Sequence, residues 1–258
     1  LAGVTLRRLA QALYERQLRR QLTGGPVPQH LAVIMDGNRR WARQMGYDNV
    51  SLGHQHGAEH LERLLGWCAE AGIGQVTVFV ASVDNLRKRA TAEVDFLMHL
   101  AERVIAERLA QPTSRWRIHL AGQLDTLPAS TSRALKLAEE ATRDRDTWCH
   151  LTLAIGYDGR TEIIDAVREL LERAAQTGRS TGQLAATLTT EDIAAHLYTR
   201  GLADPDLVIR TSGEQRLGGF LLWQTAHSEL YFCDAYWPGF RHVDFLRALR
   251  SYAARRRG

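Results

Sequence analysis

Short apolar runs of four to seven residues recur along the chain, separated by longer segments whose apolar positions repeat every three or four residues. The runs at 30–35 (HLAVIM), 75–81 (QVTVFVA), 116–121, 150–156, 207–210 (LVIR) and 228–232 (SELYF) have the length and composition of buried strands. Between them, residues 57–71 place Leu61, Leu64, Leu65 and Cys68 on one side of a helix. Residues 91–110 do the same with Val94, Leu97, Met98, Ala101, Val104, Ile105 and Leu109. Helices are also expected from Arg39 onward, at 128–143, 161–175 and 243–255, and at 190–198, where Thr189-Thr190-Glu191-Asp192 reads as a cap. Strands alternating with helices of ten or more residues predict an α/β domain with a mostly parallel sheet covered on both faces.

The first part of the chain has a different pattern. Residues 4–22 read as a helix whose apolar points are Leu6, Leu9, Leu13, Leu18 and Leu22, interleaved with Arg7, Arg8, Arg16, Arg19 and Arg20. Such a basic amphipathic helix suits either of two placements: peripheral contact with an anionic membrane, or packing on the body with its arginines in water, which is the favoured reading. Thr23-Gly24-Gly25-Pro26 ends it. An N-terminal helical arm (1–25) and one α/β domain (26–258) are therefore expected.

Composition narrows the setting. Of 258 residues 45% are apolar, enough for a full core, yet no run of about 18 apolar residues is present to span a bilayer. The three cysteines, Cys68, Cys149 and Cys233, form no CxxC pair, which argues against a zinc site or disulfide framework and fits a reducing, cytoplasmic setting, with membrane association through the arm as the alternative. The chain begins at Leu1 rather than Met and reads as trimmed, and no secretory signal is legible there. The net charge of +4 suits an anionic partner without choosing one.

In parallel sheets ligands gather beyond the carboxyl ends of the strands, which directs attention to residues 36–40, 82–89, 156–160 and 210–219. Asp36-Gly37-Asn38-Arg39-Arg40-Trp41-Ala42 follows a strand and opens a helix. Glycine there lets backbone amides approach phosphate oxygens, and Arg39 and Arg40 can neutralise a diphosphate with forked hydrogen bonds. Asp36 can hold a hard cation through oxygen. An ordinary strand–turn–helix capped by Asp would give the same local pattern. The arginines sit in phosphate-sized loops rather than along a basic face with stacking aromatics, which speaks against a nucleic-acid partner.

The whole segment from His30 to Ala42 resembles the signature of cis-prenyltransferases, the undecaprenyl diphosphate synthase family. Ser82-Val83-Asp84-Asn85 resembles the family's Ser-Thr-Glu-Asn segment. Residues 206–216 (DLVIRTSGEQR), 220–224 (FLLWQ) and 229–232 (ELYF) resemble its C-terminal block. The likeness runs from about residue 30 to 250. It implies a homodimer, each subunit with a six-stranded, mostly parallel sheet flanked by helices and a hydrophobic product tunnel. It also implies an Mg2+-dependent condensation of isopentenyl diphosphate with an allylic diphosphate such as geranyl or farnesyl diphosphate.

Roles follow by resemblance. Asp36 is the metal-holding carboxylate; Gly37, Asn38, Arg39, Arg40, Trp41 and His54 attend the allylic diphosphate. Ser82, Val83, Asp84, Asn85, Leu86 and Lys88 belong to the isopentenyl segment, Asn85 being the implied proton acceptor. An amide is a poor base, so Asn85 reads as a positioning group while a diphosphate oxygen or water takes the proton. Arg210, Arg216 and Gly218 border the isopentenyl diphosphate, and Glu229 contributes to the metal site. Leu86 stands where the family has Trp, Lys88 where it has the following arginine, and Gly218 where it has serine. The segment at 46–53 is one residue longer than in long-chain enzymes and lacks their arginine. Leu86 and that segment resemble short-chain (2Z,6E)-farnesyl diphosphate synthases, so a product of one or few condensations is expected, with Phe96, Leu97, Met98 and Leu100 as candidates for the tunnel wall. The alternatives are a long-chain C50–C55 polyprenyl diphosphate synthase, a relative repurposed as a terpene cyclase, and a non-catalytic supporting subunit.

Overall fold

The computed structural model describes residues 2–256. Helix α1 (Ala2–Leu22) leads to β1 (His30–Ile34), α2 (Asn38–Gln44), α3 (Ser51–Ala71), β2 (Gln75–Ser82), α4 (Val83–Lys88) and α5 (Thr91–Val104), which continues into a π-turn (Ile105–Leu109). There follow β3 (Arg117–Ala121), α6 (Ala129–Thr142), β4 (His150–Tyr157), α7 (Gly159–Gln176), α8 (Thr181–Thr187), α9 (Thr190–Ala194), β5 (Leu207–Arg210), β6 (Glu229–Phe232) and α10 (His242–Arg255). All six strands lie in one sheet, in the order β3-β4-β2-β1-β5-β6, and every pairing is parallel. The expectation of a mostly parallel sheet thus becomes an entirely parallel one.

The strands are apolar on both sides because both faces are covered. In β1, Leu31 and Val33 join the larger core, while Ala32 and Ile34 join a smaller one with Tyr157, Val208 and Phe220. The β1–β2 pairing extends the sheet one way and the β1–β5 pairing the other. The chain therefore reverses its direction of travel across the sheet at β1, and the crevice beyond that strand's carboxyl end is where such folds bind ligands. The β2–β4 register is irregular from Phe79 to Ser82, so that Phe79, Val80, Ala81 and Ser82 all reach the same cavity.

Four helices depart from the sequence-based expectation. Helix α3 starts at Ser51 rather than at residue 57, and α8 stands where no helix was expected. Residues 83–88 fold into α4, whose Ser82 cap accepts the Asn85 N–H at 3.0 Å. The helix expected over 190–198 stops at Ala194, although its cap is the expected one: Thr189 and Asp192 form a reciprocal capping box. Helix α1 packs on α10 with Leu18 fully buried, while Leu13 is exposed. The side chains of Leu6, Leu9, Arg7 and Arg8 lie outside the described residues. Among the described residues no helix is long and apolar enough to cross a membrane.

Candidate active site

Beyond the carboxyl ends of β1, β2 and β5 opens a cavity of ≈ 710 Å³. Its mouth is polar and strongly basic: Arg39, Arg40, Arg43, Arg89, Arg210 and Arg216 line it against the carboxylates of Asp36, Asp84 and Glu214. Counting also Glu93, which pairs with Arg39 and Arg89, six guanidiniums face four carboxylates and leave a surplus of positive charge suited to a polyanion. Deeper in, the wall is hydrocarbon, supplied by Leu61, Leu97, Leu100, Ala101, Val104, Leu135, Leu153 and Ile155 among others.

Asp36 follows β1 directly and is anchored from three sides. Its N–H donates to Thr211 Oγ1 (3.0 Å), and its carbonyl accepts from Thr211 Oγ1 (2.7 Å) and the Trp237 N–H (3.0 Å). The carboxylate accepts the Gly37 N–H on Oδ1 (2.7 Å) and Arg210 Nη2 on Oδ2 (2.9 Å), with Arg40 Nη2 at 3.5 Å. Partial burial raises the Asp36 pKa, but the hydrogen bond and charge of Arg210, the Gly37 amide and Arg40 outweigh it, and the net shift is downward. Asp36 is therefore ionised at neutral pH.

Gly37 is glycine for a steric reason. Its φ is +100°, and a Cβ there would stand 2.7 Å from Tyr236 Cδ1 and 2.9 Å from Ser212 Cβ. Ser212 itself has a positive φ of 77° and uses its hydroxyl to accept from Arg40 Nη2 at 2.6 Å. That strained backbone aims Arg40 across the mouth, where its Nη1 also lies 3.8 Å from Glu214. Arg216 pairs with the other oxygen of Glu214 at 3.2 Å, and Arg210 Nη1 donates to the Arg216 carbonyl. A Cβ on Gly218 would meet Arg210 Nη1 at 3.3 Å, so glycine here also keeps room beside that guanidinium.

The second side of the mouth centres on Glu93. His54 Nε2 lies 3.1 Å from Glu93 Oε1; Arg39 and Arg89 approach the same carboxylate at 3.7 and 3.6 Å. Burial, reinforced by the Arg89 charge, lowers the His54 pKa despite its bond to Glu93, so the imidazole is neutral at neutral pH. Burial likewise lowers the pKa of Arg89, a lining residue whose buried Nε lacks a hydrogen-bond partner.

Most of the sequence-derived residues converge here. Asp36, Gly37, Asn38, Arg39, Arg40, His54, Ser82, Asp84, Asn85, Arg210, Arg216 and Gly218 all line the cavity. Trp41, Val83, Leu86 and Lys88 do not. Trp41 packs against Tyr47 and His56, and Leu86 against the core. Lys88 points into solvent and pairs with Asp84 at 2.7 Å; the adjacent Arg89 occupies the place expected of it. Of the tunnel-wall candidates, Leu97 and Leu100 face the cavity, Met98 is buried in the core and Phe96 is off the wall. Sequence reasoning missed Arg43, Arg89, Glu93 and Glu214. The spacing of Arg89 and Glu93, four apart at a helix start, is the one signal that could have found a pair of them.

Glu229 is not brought to Asp36 within the chain. It begins β6 in register with Leu207, whereas Asp36 lies two residues past Ile34, the partner of Arg210. Five residues along the strands and two strands across amount to about 15–20 Å. Glu229 instead accepts Arg255 Nη1 at 2.7 Å.

Among the described residues no cluster of three or more His, Cys, Asp or Glu side chains could hold a metal unaided. Asp36 fits a different kind of site: a partly exposed carboxylate on the wall of an arginine-rich cavity. Mg2+ commonly takes one or two carboxylates, keeps several waters and completes its shell with substrate phosphate oxygens.

A family model for undecaprenyl diphosphate synthases matches residues 34–258. The chain is 62% identical over 250 residues to an isoprenyl transferase of Streptomyces fradiae, covering 96% of each. It is 46% identical over 254 residues to a (2Z,6E)-farnesyl diphosphate synthase of Mycolicibacterium smegmatis, covering 98% of this chain and 96% of the relative. The crystal structure of lavandulyl diphosphate synthase from Lavandula x intermedia, in complex with dimethylallyl diphosphate, superposes with a TM-score of 0.80 at 31% identity, covering 88% of this chain and 95% of that one.

Proposed function

The chain belongs to the undecaprenyl diphosphate synthase family of cis-prenyltransferases, and on that premise we propose that it condenses isopentenyl diphosphate with geranyl or farnesyl diphosphate to a short Z-configured product. The observation that carries this reading is the two-part cavity: a mouth with a surplus of arginines continuing into a hydrocarbon trough. An allylic diphosphate needs that combination, charge neutralisation at one end and a dry channel for its chain at the other.

In this reading Asp36 and the Gly37 loop hold the allylic diphosphate, with Arg39 and Arg40 placed to grip its oxygens. Arg210 and Arg216 hold the isopentenyl diphosphate on the β5 side. Negative charge grows on the departing diphosphate as its C1–O bond breaks, and guanidiniums already in place stabilise it where it develops. An Mg2+ ion held by Asp36 and substrate oxygens would add Lewis-acid neutralisation of that leaving group. The double bond of isopentenyl diphosphate forms the new C–C bond, and the proton it sheds passes to a diphosphate oxygen or water positioned by Asn85. His54, neutral, spends its one N–H on Glu93 through Nε2, so its Nδ1 is left as an acceptor and the ring adds no charge. Glu229 lies too far from Asp36 in the same chain to share its cation, so the metal proposal rests on Asp36. A homodimer belongs to the same proposal.

Incubation of the purified protein with geranyl and isopentenyl diphosphates, followed by sizing of the dephosphorylated products, tests the reading. A C15–C20 main product supports it; C50–C55 refutes the short-chain part alone. Hydrocarbon or alcohol formed from farnesyl diphosphate alone would favour a cyclase. Asp36→Ala that elongates as fast as the parent would overturn the site.

A further inference from the structure

The helix that walls the apolar half of the cavity changes register near its end. Leu97, Ala101 and Val104, at i, i+4 and i+7, line the cavity. Continued α-helical spacing would bring Arg108, at i+11, to the same face. Instead Ile105–Leu109 form a π-turn, in which the Ala110 N–H reaches back five residues to the Ile105 carbonyl at 2.8 Å. The extra residue rotates the end of the helix by about 100°. Leu109 consequently meets the cavity, while Arg108 swings outward and donates to Glu62 Oε2 at 2.9 Å. No proline or glycine lies between Thr91 and Ala110, so a helix breaker is not the cause.

The widened turn is fastened from outside by one side chain. Arg145, just past α6, donates through Nη1 to the carbonyls of Leu109 (3.2 Å) and Trp116 (2.6 Å). Through Nη2 it donates to those of Ala110 (2.7 Å) and Gln111 (2.6 Å). Gln111 Nε2 closes onto the Ala106 carbonyl at 2.7 Å. A planar guanidinium can satisfy four carbonyls in this way where an ammonium cannot. The end of the wall helix is thereby tied to the entry of β3. Helix α5 starts near the polar mouth, and Leu109 lies about 27 Å along the helix axis from Thr91.

We propose that this π-turn, held by Arg145, is the floor of the product cavity: it keeps Arg108 out of the hydrocarbon channel and presents Leu109 to the growing chain, so that it limits product length. Arg145 is a positioning residue here, acting through the backbone it holds. The inference rests on the prenyltransferase reading, but it is scored as a change from the parent enzyme's own product pattern, whatever that pattern is. A parent that makes C50–C55 would defeat the short-chain reading and leave this test intact.

The experiment sizes the products of Arg145→Met, Arg145→Lys and Leu109→Ala, with geranyl diphosphate as primer and isopentenyl diphosphate in excess. The melting temperature of each variant is recorded alongside. Relief of overpacking at the floor is expected to raise the fraction of products longer than the parent's main product by about fivefold or more in Arg145→Met and Leu109→Ala. Arg145→Lys, which can hold fewer carbonyls, should fall between Arg145→Met and the parent. A lowered melting temperature with an unchanged product pattern in Arg145→Met would reduce Arg145 to a structural residue and overturn the proposal. So would an unchanged pattern in Leu109→Ala, which also decides the matter if Arg145→Met does not fold.

Discussion

Replacing Gly37 with alanine tests the steric logic of the mouth. The backbone there has φ +100°, a region that penalises a Cβ by about 1–2 kcal/mol. The added methyl would also stand 2.7 Å from the Tyr236 ring and 2.9 Å from Ser212 Cβ, an overpacking worth about 1–3 kcal/mol. Together these predict a loss of ~2–5 kcal/mol, less than or comparable to the low end of a domain's total stability. Activity should suffer more, because the atoms that must move carry the Arg40 contact through Ser212 and the amide bond to Asp36. Displacement of a binding group by about an ångström costs ~100-fold. Gly46→Ala supplies the control: φ is +80° but nothing lies within 4 Å of its Cβ, so only the conformational part, about 1–2 kcal/mol, should appear, with activity kept. Urea denaturation followed by circular dichroism, together with steady-state kcat/KM, measures both quantities. Equal losses in the two variants, or Gly37→Ala with parental kcat/KM, would refute the reasoning.

Other perturbations have equally definite outcomes. Burial, aided by the Arg63 charge, depresses the pKa of His60 from 6.5 to about 4. The unfolded chain therefore binds the extra proton first, and stability is lost as pH falls below about 6.5; between pH 7 and pH 5 the loss is about 2 kcal/mol. His60→Leu should remove that slope in melting temperature, and an unchanged slope would show that another group is responsible. Lys88→Ala should leave the KM values within about twofold, since the side chain points into solvent, whereas Arg89→Ala should raise a substrate KM by about tenfold or more. The reverse ranking in steady-state kinetics would reinstate Lys88. Glu162 is fully buried and accepts hydrogen bonds from Tyr157, Gln224 and the Tyr198 N–H. Glu162→Gln sets an NH2 group against those donors and should cost ~1–3 kcal/mol in urea denaturation.

The sheet was legible because a strand buried on both faces must be apolar at nearly every position, and LVIR or HLAVI cannot hide in a solvent-facing element. The Asp36 loop was legible for a related reason: only certain residue types fit a strand end that must turn sharply and carry charge. Helix α4 escaped because six residues are too few to show a period. Arg87, Lys88 and Arg89 are consecutive cations, and one dimension does not say which of three faces the cavity; that depends on where α4 ends. Glu229 was assigned by the company it keeps in a motif, but its place in the fold is set by the β5–β6 register. The π-turn was hidden because Leu97, Ala101, Ile105 and Leu109 are four apart throughout, a spacing that an unbroken α-helix also shows.

The division of the cavity into a charged mouth and a hydrocarbon trough also has an evolutionary consequence. The ionic half hangs from loops at the ends of three strands, whereas much of the oily half is borrowed from a single helix and its neighbours. Mutations that resize the trough need not disturb bond-making, so descendants of one ancestral catalyst can diversify in the lipids they release while the chemistry that joins the units stays fixed.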